Sequence, residues 1–191
     1  MEWDYLSWLE DFRTNGQGLC RGEHIYLREL RLEDTDEIIR WRNSAFVREH
    51  FIYQEDFTRA SHIRWFASQL LTGRAVQFLV LANEDKRHLG SVYLRDIDHV
   101  HRRAELGIFL GEPSACGHGI GTEAVRLLVR YGFDGLRLHR IFLRVFPENE
   151  RAVAAYRKAG FRVEGRLHDG VCIDGRYRDM FLMSILLGAE G

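Results

Sequence analysis

A glycine-rich segment, Cys116-Gly117-His118-Gly119-Ile120-Gly121, is the part of this chain best suited to chemistry. It follows a predicted strand, Arg103–Leu110, and precedes a helical pattern that runs from about Thr122 to Gly135. Glycine lets backbone N–H groups approach a ligand closely, and a helix N-terminus carries about half a positive charge, so the loop suits a pyrophosphate. The alternative is a tight turn that only leads into the helix.

Two familiar phosphate-binding motifs do not fit this loop. A P-loop ends in Gly-Lys-Ser/Thr, whereas residues 121–123 read Gly-Thr-Glu. The dinucleotide fingerprint requires a different glycine spacing and a later acidic residue. The loop on its own therefore predicts a phosphate site of another kind.

A second pattern lies downstream, where residues 149–161 read Asn-Glu-Arg-Ala-Val-Ala-Ala-Tyr-Arg-Lys-Ala-Gly-Phe. Together with the loop it resembles the Gcn5-related N-acetyltransferase (GNAT) superfamily, whose motifs are Gln/Arg-x-x-Gly-x-Gly/Ala and Asn-x-x-Ala-x-x-x-Tyr-x-Lys-x-Gly-Phe. The segment Arg102–Gly107 and the chain ending around Asp174-Gly175 look like the RimJ/RimL and spermidine acetyltransferase branch. The resemblance covers roughly residues 24 to 187.

The resemblance implies that acetyl-CoA binds at the glycine loop. Backbone amides of Gly117, Gly119 and Gly121 would cradle its pyrophosphate. Asn149 would contact the pantetheine, and Tyr156 would lie near the thioester sulfur. The other residues expected beside the cosubstrate are Phe109, Leu110, Cys116, His118, Ile120 and Thr122.

Neither cysteine nor metal chemistry is predicted. Cys116 stands where the family usually has Gln or Arg. Because backbone groups of the loop make most of the contacts to acetyl-CoA, we expect the side-chain contribution to be weaker but binding to be retained. His99 and His101 form an HxH pair near Glu105, but a metal site needs more ligands in a defined geometry.

Acetyl transfer from a thioester to an amine needs a neutral nitrogen, a stabilised oxyanion and a proton for the departing thiolate. At pH 7, deprotonation costs about 4.6 kcal/mol for an amine of pKa about 10.4 and about 1.1 kcal/mol for one near 7.8.

By resemblance, Glu105 is the expected base, acting directly or through a water, and Tyr156 is the expected acid. Backbone amides around Phe109–Gly111 are the natural oxyanion donors. Two alternatives remain open. Glu105 faces solvent or pairs with Arg102 or Arg103 instead, or Tyr156 only packs its helix against the sheet.

In the family that this chain resembles, the segment corresponding to residues 41–54 forms the wall of the acceptor site, and its residues here favour two classes of small amine. Trp41 and Tyr53 could stack on a base or sugar, and Arg42 or Arg48 could bind a phosphate, as in nucleotide-linked amino-sugar N-acetyltransferases, which this segment resembles. Residues 96–105 instead look like spermidine acetyltransferases. An acidic run could attract a polycation or simply be a solvated helix start: Glu33, Asp34, Asp36 and Glu37.

We therefore predict an acetyl-CoA-dependent N-acetyltransferase that acts on a small-molecule primary amine, a polyamine or an amino sugar, with Trp41, Arg42, Tyr53 and Glu105 binding the acceptor. The alternatives are acetylation of a protein N-terminus and a CoA-binding module without activity.

The composition of the chain limits its classes of binding partner and its cellular compartment. The chain has 191 residues and a formal net charge of −1, which removes the usual electrostatic argument for nucleic-acid binding. Three widely spaced cysteines suit a reducing cytoplasm. No apolar run reaches the ~18 residues of a membrane span, and the acidic, aromatic N-terminus does not read as a signal peptide.

The elements that must position these residues alternate between strands and helices, so we predict an α/β or α+β fold of the GNAT type. Its twisted, mixed and largely antiparallel sheet would be flanked by helices, with strands 103–110 and 141–146 diverging to admit the cosubstrate. Residues 1–22 form an amphipathic appendage and residues 23–188 the domain. Appendage aromatics and sheet edges favour a homodimer.

Overall fold

The computed structural model describes residues 20–52 and 54–188, and their strands form one seven-stranded sheet. In chain order the strands are β1 (Ile25–Glu29), β2 (Val76–Ala82), β3 (His88–Asp98), β4 (Arg103–Leu110), β5 (Arg140–Val145), β6 (Arg162–Ile173) and β7 (Arg176–Leu186). The spatial order is β1-β2-β3-β4-β5-β7-β6, and all neighbours are antiparallel except β4 and β5. The predicted mixed, largely antiparallel sheet is confirmed.

Helices connect the strands of the sheet. They are α1 (Thr35–Asn43), α2 (Ala45–Arg48), α3 (Arg59–Trp65), α4 (Ile120–Arg130) and α5 (Glu150–Lys158). Two of them, α3 and α4, continue as π-helical turns over Phe66–Leu70 and Tyr131–Gly135. The second of these turns carries the helical pattern to Gly135, the end that the sequence predicts.

The sheet is split between β4 and β5. The two strands pair only over Arg103↔Arg140, Ala104↔Ile141 and Glu105↔Phe142. Beyond Glu105, β4 continues to pair with β3 while β5 follows β7, so a gap opens in the middle of the sheet. The predicted divergence of these strands is confirmed.

Helices cover both faces of the sheet because its central strands are apolar on both sides. In β2, Phe78 and Val80 belong to one buried cluster, and Leu79 and Leu81 belong to the other. Successive side chains of a strand point to opposite faces, so β2 is sandwiched. The first cluster includes the apolar faces of α4 and α5, and the second includes α1 and α2.

The last three residues of the predicted appendage pack on the domain. Cys20 is buried and its carbonyl accepts a hydrogen bond from the Leu27 N–H at 2.7 Å. The appendage aromatics of the sequence prediction lie outside the described residues. Among the helices that are described, none is both long and apolar enough to cross a membrane.

Candidate active site

The gap between β4 and β5 belongs to a cavity of about 780 Å³. Its lining includes the glycine loop and α5 on one side, which we call the loop side. On the other side it includes Arg42, Phe51, Phe57, His62, Arg95, Glu105 and Arg144, which we call the arginine chamber. The two regions are parts of one continuous space.

The glycine loop has the backbone form that an anion cradle requires. Gly117 and Gly119 have φ values of +85° and +79°, in the left-handed region that favours glycine. A Cβ atom built on either residue would meet nothing within 4 Å. Gly119 is also the N-cap of the 11-residue helix α4, whose first N–H groups have no partner within the helix. This arrangement fits the pyrophosphate of CoA.

Most of the residues predicted to contact the cosubstrate line the cavity: Phe109, Leu110, Cys116, Gly117, Gly119, Gly121, Thr122, Asn149 and Tyr156. Two do not. His118 is exposed to solvent, and Ile120 packs against the larger apolar cluster. Only their backbone groups remain available to the loop.

Helix α5 carries the two residues expected near the thioester. Asn149 is its N-cap, and the side-chain oxygen accepts a hydrogen bond from the Ala152 N–H at 3.2 Å. Tyr156 lies on the same helical face, is buried and lines the same cavity. Burial raises the pKa of Tyr156 above its usual value of 10, so the phenol is protonated at neutral pH and able to donate.

Glu105 is the last residue of β4 that pairs with β5, and two arginines hold its buried carboxylate. Oε1 accepts from Arg144 Nε at 3.0 Å. Oε2 accepts from Arg95 Nε and Nη2 at 3.2 and 3.0 Å, and from Arg144 Nη2 at 3.3 Å. Since Oε1 accepts only one of these bonds, it retains capacity for another.

The arginines that bind Glu105 are not those considered from the sequence, Arg102 and Arg103. The Arg102 side chain donates to the Arg137 carbonyl, and Arg103 lies against Asp98, so neither holds Glu105.

Two backbone N–H groups of β4 face the gap. The Gly111 N–H donates to the Leu89 carbonyl of the β3 side at 2.8 Å. Successive N–H groups of a strand point to opposite neighbours, so those of Ile108 and Leu110 point toward the side that β5 has left. Of the predicted oxyanion donors around Phe109–Gly111, Leu110 is therefore placed to act, and Gly111 is not.

The prediction that Trp41 stacks on the acceptor is corrected by its burial. Its side chain is 0% exposed, and its indole N–H donates to Glu112 Oε1 at 2.9 Å. A Cβ atom on Gly111 would lie 2.2 Å from the indole, so the glycine is what lets Trp41 pack so closely on β4. Trp41 is a core residue that supports α1.

The other acceptor predictions have different outcomes. Arg42 lines the cavity, Arg48 forms an ion pair with Asp56, and Tyr53 lies outside the described residues. The acidic run does not reach the cavity. Each of its four carboxylates pairs with an arginine: Glu33 with Arg31, Asp34 with Arg28, Asp36 with Arg59, and Glu37 with Arg40.

Sequence reasoning missed Arg95, Arg144 and His62 in the arginine chamber. A signal existed for Arg144, because it interrupts the apolar strand β5 within the stretch predicted to diverge. Arg95 had a weaker signal, following the apolar residues of β3. His62 lies on a helix whose sequence gives no indication of a cavity.

Residues 24–162 match the family described as acetyltransferase (GNAT) domain. The chain therefore belongs to the GNAT acetyltransferases, and the resemblance stated from its motifs is confirmed. It is an acetyl-CoA-dependent N-acetyltransferase, with acetyl-CoA as the acetyl donor. In the described part of the chain, no group of three or more potential metal ligands occurs.

Relatives of known activity are similar over nearly the whole chain. Spermidine N(1)-acetyltransferase of Escherichia coli K12 is 36% identical over 163 residues, which cover 84% of this chain and 85% of that protein. The crystal structure of spermidine N-acetyltransferase from Vibrio cholerae in complex with CoA and spermine has a TM-score of 0.79 at 28% identity, covering 86% of this chain and 96% of that one. A dodecameric structure of the Vibrio cholerae enzyme has a TM-score of 0.74 at 28% identity, covering 89% and 100%.

Proposed function

We propose that the acceptor is a small molecule whose primary amine enters the arginine chamber and meets the thioester beside Glu105 and Tyr156. The observation that carries the proposal is one continuous cavity, which joins the glycine loop to a set of charged side chains. The spermidine acetyltransferases that the chain resembles favour a small-molecule acceptor over a polypeptide.

Acetyl-CoA supplies an acetyl thioester: the amine nitrogen bonds to the acetyl carbon, the carbon–sulfur bond breaks, and the sulfur leaves as a thiolate. In our proposal Glu105 Oε1 takes the proton of the ammonium group, directly or through one water. The N–H groups of Ile108 and Leu110 stabilise the oxyanion, and Tyr156 gives its proton to the thiolate. The nitrogen, now bonded to the acetyl carbon, loses its second proton as the amide forms, and this proton restores the Tyr156 phenol. Asn149 and the glycine loop hold the donor.

Two acceptor classes fit this chamber. An amino sugar, including one linked to a nucleotide, is favoured by Arg42, Arg95 and Arg144, because guanidinium groups bind phosphate and sugar oxygens. A polyamine is the other candidate. It is favoured by the two spermidine acetyltransferases above and by Glu55 and Asp56, which also line the cavity.

Release of CoA thiol from acetyl-CoA tests the proposal. The panel contains spermidine, spermine, free and nucleotide-linked amino sugars, amino acids and short N-terminal peptides. We expect turnover with at least one small amine. Turnover with peptides alone, or with no member of the panel although acetyl-CoA binds, contradicts the proposal.

We also propose that the chain self-associates and acts in the cytoplasm. The dodecameric relative supports assembly, and so does β6, a 12-residue edge strand that is largely exposed. Three free cysteines, Cys20, Cys116 and Cys172, fit a reducing compartment. Light scattering on the purified chain measures the assembly, and a monomer at micromolar concentration contradicts it.

A further inference from the structure

Arg42 differs from the other arginines around it. It lies in the last turn of α1, and its Cζ atom is 3.5 Å from the ring centroid of Phe51 and 5.2 Å from that of Phe57. Arg40, Arg48, Arg95 and Arg144 all form ion pairs. Among the described residues, no acidic side chain pairs with Arg42.

An unpaired cation in a partly buried site is costly, because burial removes hydration without supplying a counter-charge. Burial, opposed by Tyr93 and helped by the positive charges of Arg48 and Arg95, lowers the pKa of Arg42 from 12.5 to about 10. Arg42 is still charged at neutral pH. A bound anion would remove the cost that the free protein bears.

A second polar group without a partner lies nearby. His62 is fully buried and lines the cavity, and its Nδ1 is 3.0 Å from Thr35 Oγ1. Its Nε2 has no hydrogen-bond partner among the residues described. Phe57 contacts both groups, with its ring centroid 5.8 Å from that of His62. The same corner of the cavity thus holds two groups that a ligand would satisfy.

The charges around this corner leave an excess of cations. Glu105 is shared by Arg95 and Arg144, and Asp56 is taken by Arg48. Glu55 also lines the cavity. These three carboxylates face four arginines when Arg42 is included, and Asp96, which is 3.8 Å from Arg95, is exposed and lies outside the cavity lining.

We propose that Arg42 binds an anionic group of the acceptor, a carboxylate or a phosphate, so that the substrate is a primary amine that also carries negative charge. Stacking on Phe51 covers a face of the guanidinium and leaves its in-plane N–H edges for oxygens, which suits two-point binding of either anion. The inference rests on the proposed acetylation of a small amine and specifies its acceptor.

Matched acceptor pairs test the specificity. Glucosamine is compared with glucosamine 6-phosphate, and cadaverine with lysine, so that each pair differs by a phosphate or a carboxylate. We expect kcat/KM to be at least tenfold higher for the anionic member of one pair, which also identifies the anion. Equal or better turnover, in both pairs, of the member that lacks the phosphate or carboxylate overturns the inference.

The Arg42→Gln variant separates recognition from structure. It should lower kcat/KM 10- to 100-fold for the member that carries the anion and less than about threefold for the other member. It should also keep or raise the melting temperature, because an unpaired cation is removed. Arg59→Gln is the matched control, since Arg59 is exposed and pairs with Asp36 outside the cavity. An equal loss for both members of the pair, or a lower melting temperature, assigns Arg42 a structural role and overturns the inference.

A binding measurement tests the inference even if no acceptor in the panel is acetylated. Inorganic phosphate and acetate are titrated against protein saturated with CoA, so that the glycine loop is occupied. A rise in melting temperature with either anion that is absent in Arg42→Gln supports the inference, and no rise overturns it. If no acceptor in the panel is acetylated but the anions still raise the melting temperature, only the proposed acetylation is contradicted.

Discussion

Burial fixes the protonation state of Tyr156, and its proposed role depends on that state. Tyr156→Phe removes the hydroxyl and keeps the ring packing, so kcat should fall about 10²- to 10³-fold while the affinity for acetyl-CoA stays within about threefold. The pKa of Tyr156 is raised, so its deprotonation should cause no loss of wild-type activity below about pH 10. Unchanged turnover in Tyr156→Phe, measured by steady-state kinetics, contradicts the acid assignment.

The loss of kcat on replacing Glu105 should increase with the pKa of the acceptor amine. A base is needed most for an amine of pKa about 10.4, so Glu105→Gln should lower kcat about 10²-fold for such an amine and less than about tenfold for one near 7.8. Both values are measured with acceptors of similar size. Equal losses would mean that Glu105 acts by holding Arg95 and Arg144, and the melting temperature of the variant is the control for that role.

At the scale of elements, Asn149 supports α5 through its cap. Asn149→Ala removes the acceptor for the Ala152 N–H and should lower the free energy of unfolding by about 1 kcal/mol, as measured by urea denaturation. Asn149→Ser retains a capping oxygen and should stay near the wild-type stability. If alanine and serine are equally stable, the cap does not stabilise the helix.

Glu164 joins β6 to its neighbours, and its effect should depend on pH. Hydrogen bonds from Arg140 and from Ser184 lower its pKa from 4.5 to about 2. Because the folded-state pKa is depressed, the stabilisation is complete well above pH 4.5 and is lost as the pH falls toward 2.

Glu164→Gln therefore tests this network. Since the pair is partly exposed, we expect a loss below about 1 kcal/mol, or at most about 2–4 °C in melting temperature, at pH 7. The difference between the melting temperatures of the two proteins should shrink as the pH is lowered from 5 toward 2. A difference that stays constant with pH would exclude the carboxylate charge as its cause.

Elements with strong local signals were predictable from sequence. Strand β4 has the predicted limits, Asn149 caps the predicted helix, and Asp174-Gly175 joins β6 to β7 with both residues at positive φ, as a two-residue hairpin turn favours. Each of these depends on residues close in sequence. The glycine loop was predictable for the same reason.

The arginine chamber was not predictable because it depends on register between distant strands. Glu105 meets Arg95 only through the pairing of β4 with β3, and Arg144 only through the parallel pairing with β5. The sequence spacing of these residues carries no such information. Trp41 could not be assigned from sequence for a different reason: its position in the helical pattern is equally compatible with a core residue and with a substrate contact.

For the whole molecule, the donor should act as a stabilising ligand. A ligand at 100 times its Kd that binds only the folded state adds about 2.7 kcal/mol, which corresponds to about 5–10 °C for a domain of this size. Thermal melts with increasing acetyl-CoA measure this rise, and adenosine, which lacks the pyrophosphate, is the control. An equal rise with adenosine would argue against the glycine loop as the main contact.

The brief pairing of β4 with β5 divides the sheet into two blocks that are also consecutive in the chain. Strands β1 to β4 come from residues 25–110 and strands β5 to β7 from residues 140–186. Each block completes its own ladder, and three residue pairs join them like a hinge. A change in the width of the gap beyond Glu105 therefore breaks no ladder hydrogen bond, because β4 and β5 share none there.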